Sequence, residues 1–230
     1  MSLQLITFDL DDTLWDVAPA IETAEVELRR WMAEHTPRVG PLPHEELLAI
    51  RSALLEQEPG LKHRISELRR RMLLQVVQDA GYTAQAEQLA DSAFEVFLHA
   101  RHQLDLFSDV HSTLSELSQH FQLAVITNGN ADVRRIGLAH YFQFALCAED
   151  LGVGKPDPQP FNEALRRAGV AAERALHIGD HPEDDIAGAQ RAGLNTVWFN
   201  PQGKDWTAAH QPDAQVQRLA QLPELLRNWR

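Results

Sequence analysis

Cysteine is nearly absent from this chain of 230 residues, and Cys147 stands alone. A single thiol excludes an internal disulfide, a CxxC redox pair and a cysteine-built zinc site, and it points to a reducing compartment. Lysine is almost as rare, with Lys62, Lys155 and Lys204 against eighteen arginines. Basic residues as a group fall short of acidic ones, 21 against 33. The resulting formal charge of -12 repels a polyphosphate backbone, so nucleic acid is not expected as a partner. No apolar run is long enough to span a bilayer, and no basic segment precedes an apolar stretch at the N-terminus. The expectation is a cytoplasmic protein with no membrane partner. What is present is ordinary globular material, 44% hydrophobic and 23% charged, and long enough to bury a substantial core.

Short apolar runs punctuate the chain at Leu3 to Phe8, Leu123 to Thr127, Phe144 to Ala148, Ala175 to Gly179 and Thr196 to Phe199. Each is separated from the next by a helical pattern. Strands alternating with helices predict an α/β fold with a doubly wound parallel sheet. Helix boundaries are marked by Pro158 before a run ending at Gly169 and by Pro182 before a run ending at Gly193. Residues 18–106 read differently, as four amphipathic helices near Ala20 to Glu34, His44 to Glu58, Lys62 to Asp79 and Ala84 to His102. The breaks between them are Thr36 to Pro43, Glu58 to Gly60 and Gly81 to Thr83. The expected organisation is a core of residues 1–17 and 107–230, with a helical module of residues 18–106 inserted after the first strand. Pro201 to Gln215 reads as a polar loop, and Val216 to Trp229 as a last amphipathic segment interrupted at Pro223.

The chemistry gathers where strands stop. Asp9 and Asp11 lie two residues apart directly after the first strand, and Asp180, Glu183, Asp184 and Asp185 follow the fourth. Loops at the carboxyl ends of parallel strands form the ligand crevice of such sheets. Taken alone, the first acidic string also reads as a solvated turn. If the two converge, like charges about 4 Å apart repel by about 4 kcal/mol per pair at an effective dielectric near 20, and a cation or a proton is required. A hard divalent ion with oxygen ligands, Mg²⁺ above all, meets that need. His181 sits in the second string and reads more readily as solvent-facing than as a ligand. Thr127, Asn128 and Gly129 supply a hydroxyl and backbone N–H groups suited to an oxyanion. Lys155 lies in the turn Gly154-Lys155-Pro156-Asp157-Pro158, which reads either as a fixed cationic contact or as a solvated loop charge.

Together these segments resemble the haloacid dehalogenase-like hydrolases. Asp9 and Asp11 match the family's first motif, Thr127 the second, Lys155 the third, and Asp180 with Asp185 the fourth, in order and across the whole core. The resemblance implies a Rossmannoid core with a helical cap. It implies a phosphatase whose Asp9 is the nucleophile and whose Asp11 is the acid and base. Thr127, Asn128 and Lys155 would bind phosphate, and Asp9, Asp11 (through its backbone carbonyl), Asp180 and Asp185 would hold Mg²⁺. The partner implied is a small phosphorylated metabolite. The wording of the first two motifs is similar to that of bacterial phosphatases acting on flavin mononucleotide and the phosphorylated riboflavin precursor. A phosphosugar mutase shares the motifs. Dehalogenation is disfavoured because Asp11 is present, and a phospho-receiver module because the acceptor lies on the first strand and an insertion follows it. Trp15 and Asp16 are expected either at the site entrance or bracing the hinge of the cap.

Overall fold

The computed structural model describes residues 2–41 and 43–229. Met1 and Arg230, the outermost positions of the expected core, and Leu42, within the Thr36 to Pro43 break, lie outside them. By contacts the chain divides into two compact units, Met1–Asp16 with Asp105–Arg230, and Val17–Leu104.

The first unit carries a sheet of six parallel strands in the order β3-β2-β1-β4-β5-β6. These are β1 (Leu5–Phe8), β2 (Gln122–Thr127), β3 (Phe144–Cys147), β4 (Ala175–Gly179), β5 (Asn195–Phe199) and β6 (Ala214–Val216). β1 and β4 are buried along their whole length, as central strands covered on both faces must be. Residues 201–213 form the expected loop, but β6 corrects its end, since it pairs with β5 from Val197↔Ala214 to Phe199↔Val216. Three residues are too few to carry an alternating pattern, and only the neighbouring strand makes them one.

The second unit is helical: α1 (Val17–His35), α2 (His44–Gln57), α3 (Ile65–Asp79) and α4 (Ala86–Arg101). Ala20, Ala24, Leu28 and Met32 line one stripe of α1, and Ala86, Ala90, Ala93, Phe97 and Ala100 one stripe of α4. The alanines let the two helices approach closely around a shared core with Leu73, Val76 and Val77 of α3. The arginine run of α3 is committed to acids of the same unit. Arg69 pairs with Glu25 at 2.7 Å, Arg70 with Glu87 at 2.6 Å and Asp91 at 2.5 Å, and Arg71 with Glu67 at 2.6 Å and Glu58 at 2.7 Å.

Back in the first unit follow α5 (Val110–Ser118), α6 (Ala148–Leu151), α7 (Pro158–Ala168), α8 (Gly188–Arg191) and α9 (Leu222–Arg227). α7 starts where Asp157 accepts a hydrogen bond from the Gln159 amide at 2.8 Å, with Pro158 in its first turn, and stops at Gly169 in the left-handed conformation. Phe161 and Ala164 of α7 and Ala189 of α8 pack with Leu5, Ala124, Ile126, Leu146 and Ala175 on one face of the sheet. The run after Pro182 opens with a π-helical turn, Pro182–Ala187, before α8. Pro223 sits in the first turn of α9 rather than interrupting a helix. Among the described residues no helix is long and apolar enough to cross a membrane.

Candidate active site

The strand order reverses between β1 and β4, and that junction opens a crevice at the carboxyl end of the sheet. Asp9 is the first residue past β1, its amide still laddered to the Ile178 carbonyl at 2.9 Å. Asp180 is the first residue past β4. Topology alone therefore brings together two acids that are far apart in sequence.

The third acid arrives by a different route. Asp185 lies in the π-helical turn after β4, where the Asp185 and Ile186 amides both donate to the His181 carbonyl. Its side chain folds back against Gly179, where any Cβ would collide with it. Carboxylate oxygens of Asp9, Asp180 and Asp185 then lie within 4.8 Å of one another. Lys155 closes the cluster, with Nζ donating to Asp9 Oδ1 at 2.5 Å and to Asp185 Oδ1 at 2.6 Å, in surroundings that leave the lysine 5% exposed. Asn128 holds this lysine's main chain from both sides. Its amide nitrogen donates to the Lys155 carbonyl and its oxygen accepts from the Lys155 amide, each at 2.8 Å. Its side chain thus serves Lys155. Thr127 ends β2, 3% exposed, and its hydroxyl accepts from the Gly129 amide at 3.0 Å.

The loop after β1 turns sharply through Asp12, which takes a positive φ of 59°. Aspartate tolerates that left-handed conformation better than most residues. The Thr13 and Leu14 amides both return to the Leu10 carbonyl, at 3.1 and 2.8 Å. Thr13 Oγ1 lies 3.4 Å from Asp180 Oδ1. The Asp11 carboxylate is outside the cluster of three and accepts from the Trp15 indole at 3.0 Å. Trp15 is completely buried, which goes against the first of its two expected places, the site entrance.

Burial and charge pull these groups in opposite directions. Burial, reinforced by the charge of Asp185, pushes the Asp180 carboxyl up to about 7. Burial also raises Asp9 well above the usual carboxylate range despite the Lys155 ammonium beside it. For Asp185 burial is outweighed by the Lys155 charge and the His177 hydrogen bond, and its carboxyl falls below that range. For Lys155 the two carboxylates overcome burial and raise it. The cluster is a set of hard oxygen donors whose ionised form is costly as it stands, a donor set that could hold a hard divalent cation. Both Asp185 oxygens are already engaged, Oδ1 by Lys155 and His177 and Oδ2 by the His181 amide, so Asp9 and Asp180 are the better placed ligands.

Three contributors are invisible to motif reasoning. His177, in the middle of β4 and fully buried, places Nε2 at 3.1 Å from Asp185 Oδ1 and Nδ1 at 2.8 Å from Thr7 Oγ1. Burial lowers the imidazole, opposed by Asp185, and keeps it neutral. The carboxylate needs a donor, so Nε2 carries the proton and Nδ1 accepts from the Thr7 hydroxyl. Thr7 and His177 are register partners across β1 and β4, which is why their side chains meet. The only signal for them in the chain is a polar residue inside each apolar run. Trp198, on β5, holds the Asp180 carbonyl through its indole at 2.7 Å. His181 is exposed, and its ring accepts from the Asp184 amide at 3.1 Å.

The chain is 34% identical to the 5-amino-6-(5-phospho-D-ribitylamino)uracil phosphatase YigB of Escherichia coli over 97% of its own length and 96% of that protein. It is 30% identical to the phosphoserine phosphatase of Thermus thermophilus, over 96% and 98% respectively. Among solved structures, the 2-haloacid dehalogenase from Pseudomonas syringae pv. tomato superposes with a TM-score of 0.98 at 62% identity, covering 99% of this chain and all of that one. The HAD-hydrolase YfnB of Bacillus subtilis, solved bound to magnesium, superposes at 0.66 with 26% identity over 98% and 99%. The sequence model of haloacid dehalogenase-like hydrolases matches residues 3–193, from β1 past α8 and through every residue of the cluster. On that extent of match, the chain belongs to the haloacid dehalogenase-like hydrolases.

Proposed function

We propose that the protein hydrolyses a small phosphate monoester through an aspartyl phosphate on Asp9. The observation that carries this reading is the juxtaposition of Asp9 with Lys155 at 2.5 Å, beside Asp180 and Asp185. In the first displacement an Asp9 oxygen attacks phosphorus, the bond to the departing alcohol breaks, and Asp11 gives that oxygen a proton. In the second, water attacks the same phosphorus and gives its proton to Asp11, the bond to Asp9 breaks, and inorganic phosphate leaves. Lys155 and Thr127 bind the phosphoryl oxygens, and Asn128 keeps Lys155 in place. Asp9, Asp180 and the Asp11 carbonyl would hold Mg²⁺ with Asp185 in support, and the ion's charge would favour both nucleophile and phosphoryl group.

The helical unit Val17–Leu104 is the cap that selects the substrate. Similarity to YigB over nearly the whole chain supports a phosphorylated ribitylaminouracil, a riboflavin precursor, as that substrate, and the wording of the first two motifs adds flavin mononucleotide. The 62% identical Pseudomonas protein bears a dehalogenase name and supports a second reading, attack on a carbon bearing a halogen. Both are tested by measuring phosphate release from flavin mononucleotide, sugar phosphates and nucleotides, and halide release from 2-chloropropionate, with and without Mg²⁺. Phosphate release that chelation stops and Mg²⁺ restores is expected, as is its loss in Asp9→Asn while that variant still unfolds cooperatively. Halide release alone would replace this reading with the second, and conversion of a sugar phosphate into its isomer without free phosphate would make the protein a mutase.

A further inference from the structure

Trp15 is fully buried, and its one polar side-chain atom is used on Asp11, with Nε1 donating to Oδ1 at 3.0 Å. Several constraints hold it there. Its backbone is bridged to Asp11 on one side and to Leu106 on the other. The Phe107 amide is hydrogen-bonded to the Leu14 carbonyl at 3.0 Å. The positive φ of Asp12 turns the intervening loop so that Trp15, four positions after Asp11, faces back to it. A surface loop does not require a buried indole to donate to a carboxylate, and a phenylalanine at this place would fill most of the volume without offering a donor.

We infer that Trp15 is a positioning residue for Asp11 in proton transfer to the departing alcohol, an inference that rests on the phosphatase reading above. The indole N–H is a donor only. It fixes Oδ1 without forming an ion pair and without competing for the proton Asp11 carries, so that proton resides on Oδ2. Trp15 thereby sets which oxygen of Asp11 exchanges protons with the ester and where that oxygen stands. Proton delivery matters most when the departing oxygen is a poor leaving group, and little when it leaves readily as an anion. Trp15 should therefore matter for alkyl phosphates more than for aryl phosphates with an acidic phenol.

The test compares kcat/KM of wild type and Trp15→Phe, with Mg²⁺, on glycerol phosphate and on p-nitrophenyl phosphate. The expected result is a fall about tenfold larger for the alkyl ester than for the nitrophenyl ester. A second variant guards against misfolding by keeping the fused ring and exchanging only the indole N–H for sulfur, through benzothienylalanine at Trp15. It should show the same contrast with an unchanged thermal transition. Equal losses on both esters in that second variant would reduce Trp15 to a packing residue, and no loss on either would remove its role altogether; both results overturn the inference while leaving the phosphatase reading intact. If wild type turns over neither ester nor any phosphate in the substrate panel, the phosphatase reading fails and this inference fails with it.

Discussion

Lys155 is the residue on which the charges of the site balance. Its ammonium is nearly sealed from solvent and separates two carboxylates, at 2.5 Å from Asp9 and 2.6 Å from Asp185. Removing one partner of a buried ionic group leaves the others uncompensated and costs about 3–5 kcal/mol. Lys155→Met is accordingly expected to lower stability by about that amount in urea unfolding. Its phosphatase turnover should also fall by about 10²–10³-fold, through loss of a preorganised cation at the phosphoryl group. Turnover within about threefold of wild type would show that Lys155 holds the fold and not the substrate. The motif position of Lys155 was legible in the sequence, where scarcity of lysine and a rigid turn set it apart. Its meeting with the acidic cluster was implied only by the family resemblance, because Asp9 lies 146 positions away in the chain and no local pattern records a contact across that distance.

At the scale of elements, β4 and the turn that follows it do more than present Asp180. Gly179 is the last residue of β4, and the Asp185 side chain occupies the space where a Cβ would stand, 2.7 Å from the Asp185 Cβ and closer still to its carboxylate. Gly179→Ala forces that side chain away and with it the contacts to Lys155, His177 and the His181 amide. A destabilisation of about 1–3 kcal/mol is expected, together with weaker Mg²⁺ binding measured by calorimetry. An unchanged Mg²⁺ affinity would mean that Asp185 does not support the ion. The apolar run Ala175 to Gly179 was readable as a strand, and the observed bounds are the same. That the turn after Pro182 is π-helical was not readable, because it depends on Asp185 reaching back to the backbone of its own loop. The four helices of the insertion were legible for the opposite reason, since each carries its apolar stripe within one stretch of chain.

For the molecule as a whole, the acidic cluster ties stability to pH. In the folded protein Asp180 keeps its proton up to about 7, whereas an unfolded aspartate releases it near its ordinary value of 3.8. Between those limits the folded state binds more protons than the unfolded one, so this group's contribution to stability falls as pH rises and levels off above about 7. Asp9, raised in the same direction, has the same sign. Asp185, lowered, contributes stability that is lost only as pH falls below the ordinary carboxylate range. Mg²⁺ should offset the repulsion where the acids are ionised. At about a hundred times its dissociation constant it is expected to raise the melting temperature by about 5–10 °C at pH near 8, and by clearly less at pH near 5. A shift of equal size at both pH values, followed by differential scanning calorimetry, would place the ion away from these carboxylates.

The chain by itself determined the α/β alternation, the inserted helices and the acids at strand ends, because burial period and residue chemistry are properties of a few consecutive positions. Only the tertiary structure decided who meets whom. Strand order set Asp9 beside Asp180, register set Thr7 beside His177, and a left-handed turn at Asp12 brought Trp15 back to Asp11. Hydrogen bonds of that kind join residues whose separation in space is fixed by how the whole sheet closes, and a linear sequence holds no local trace of that closure.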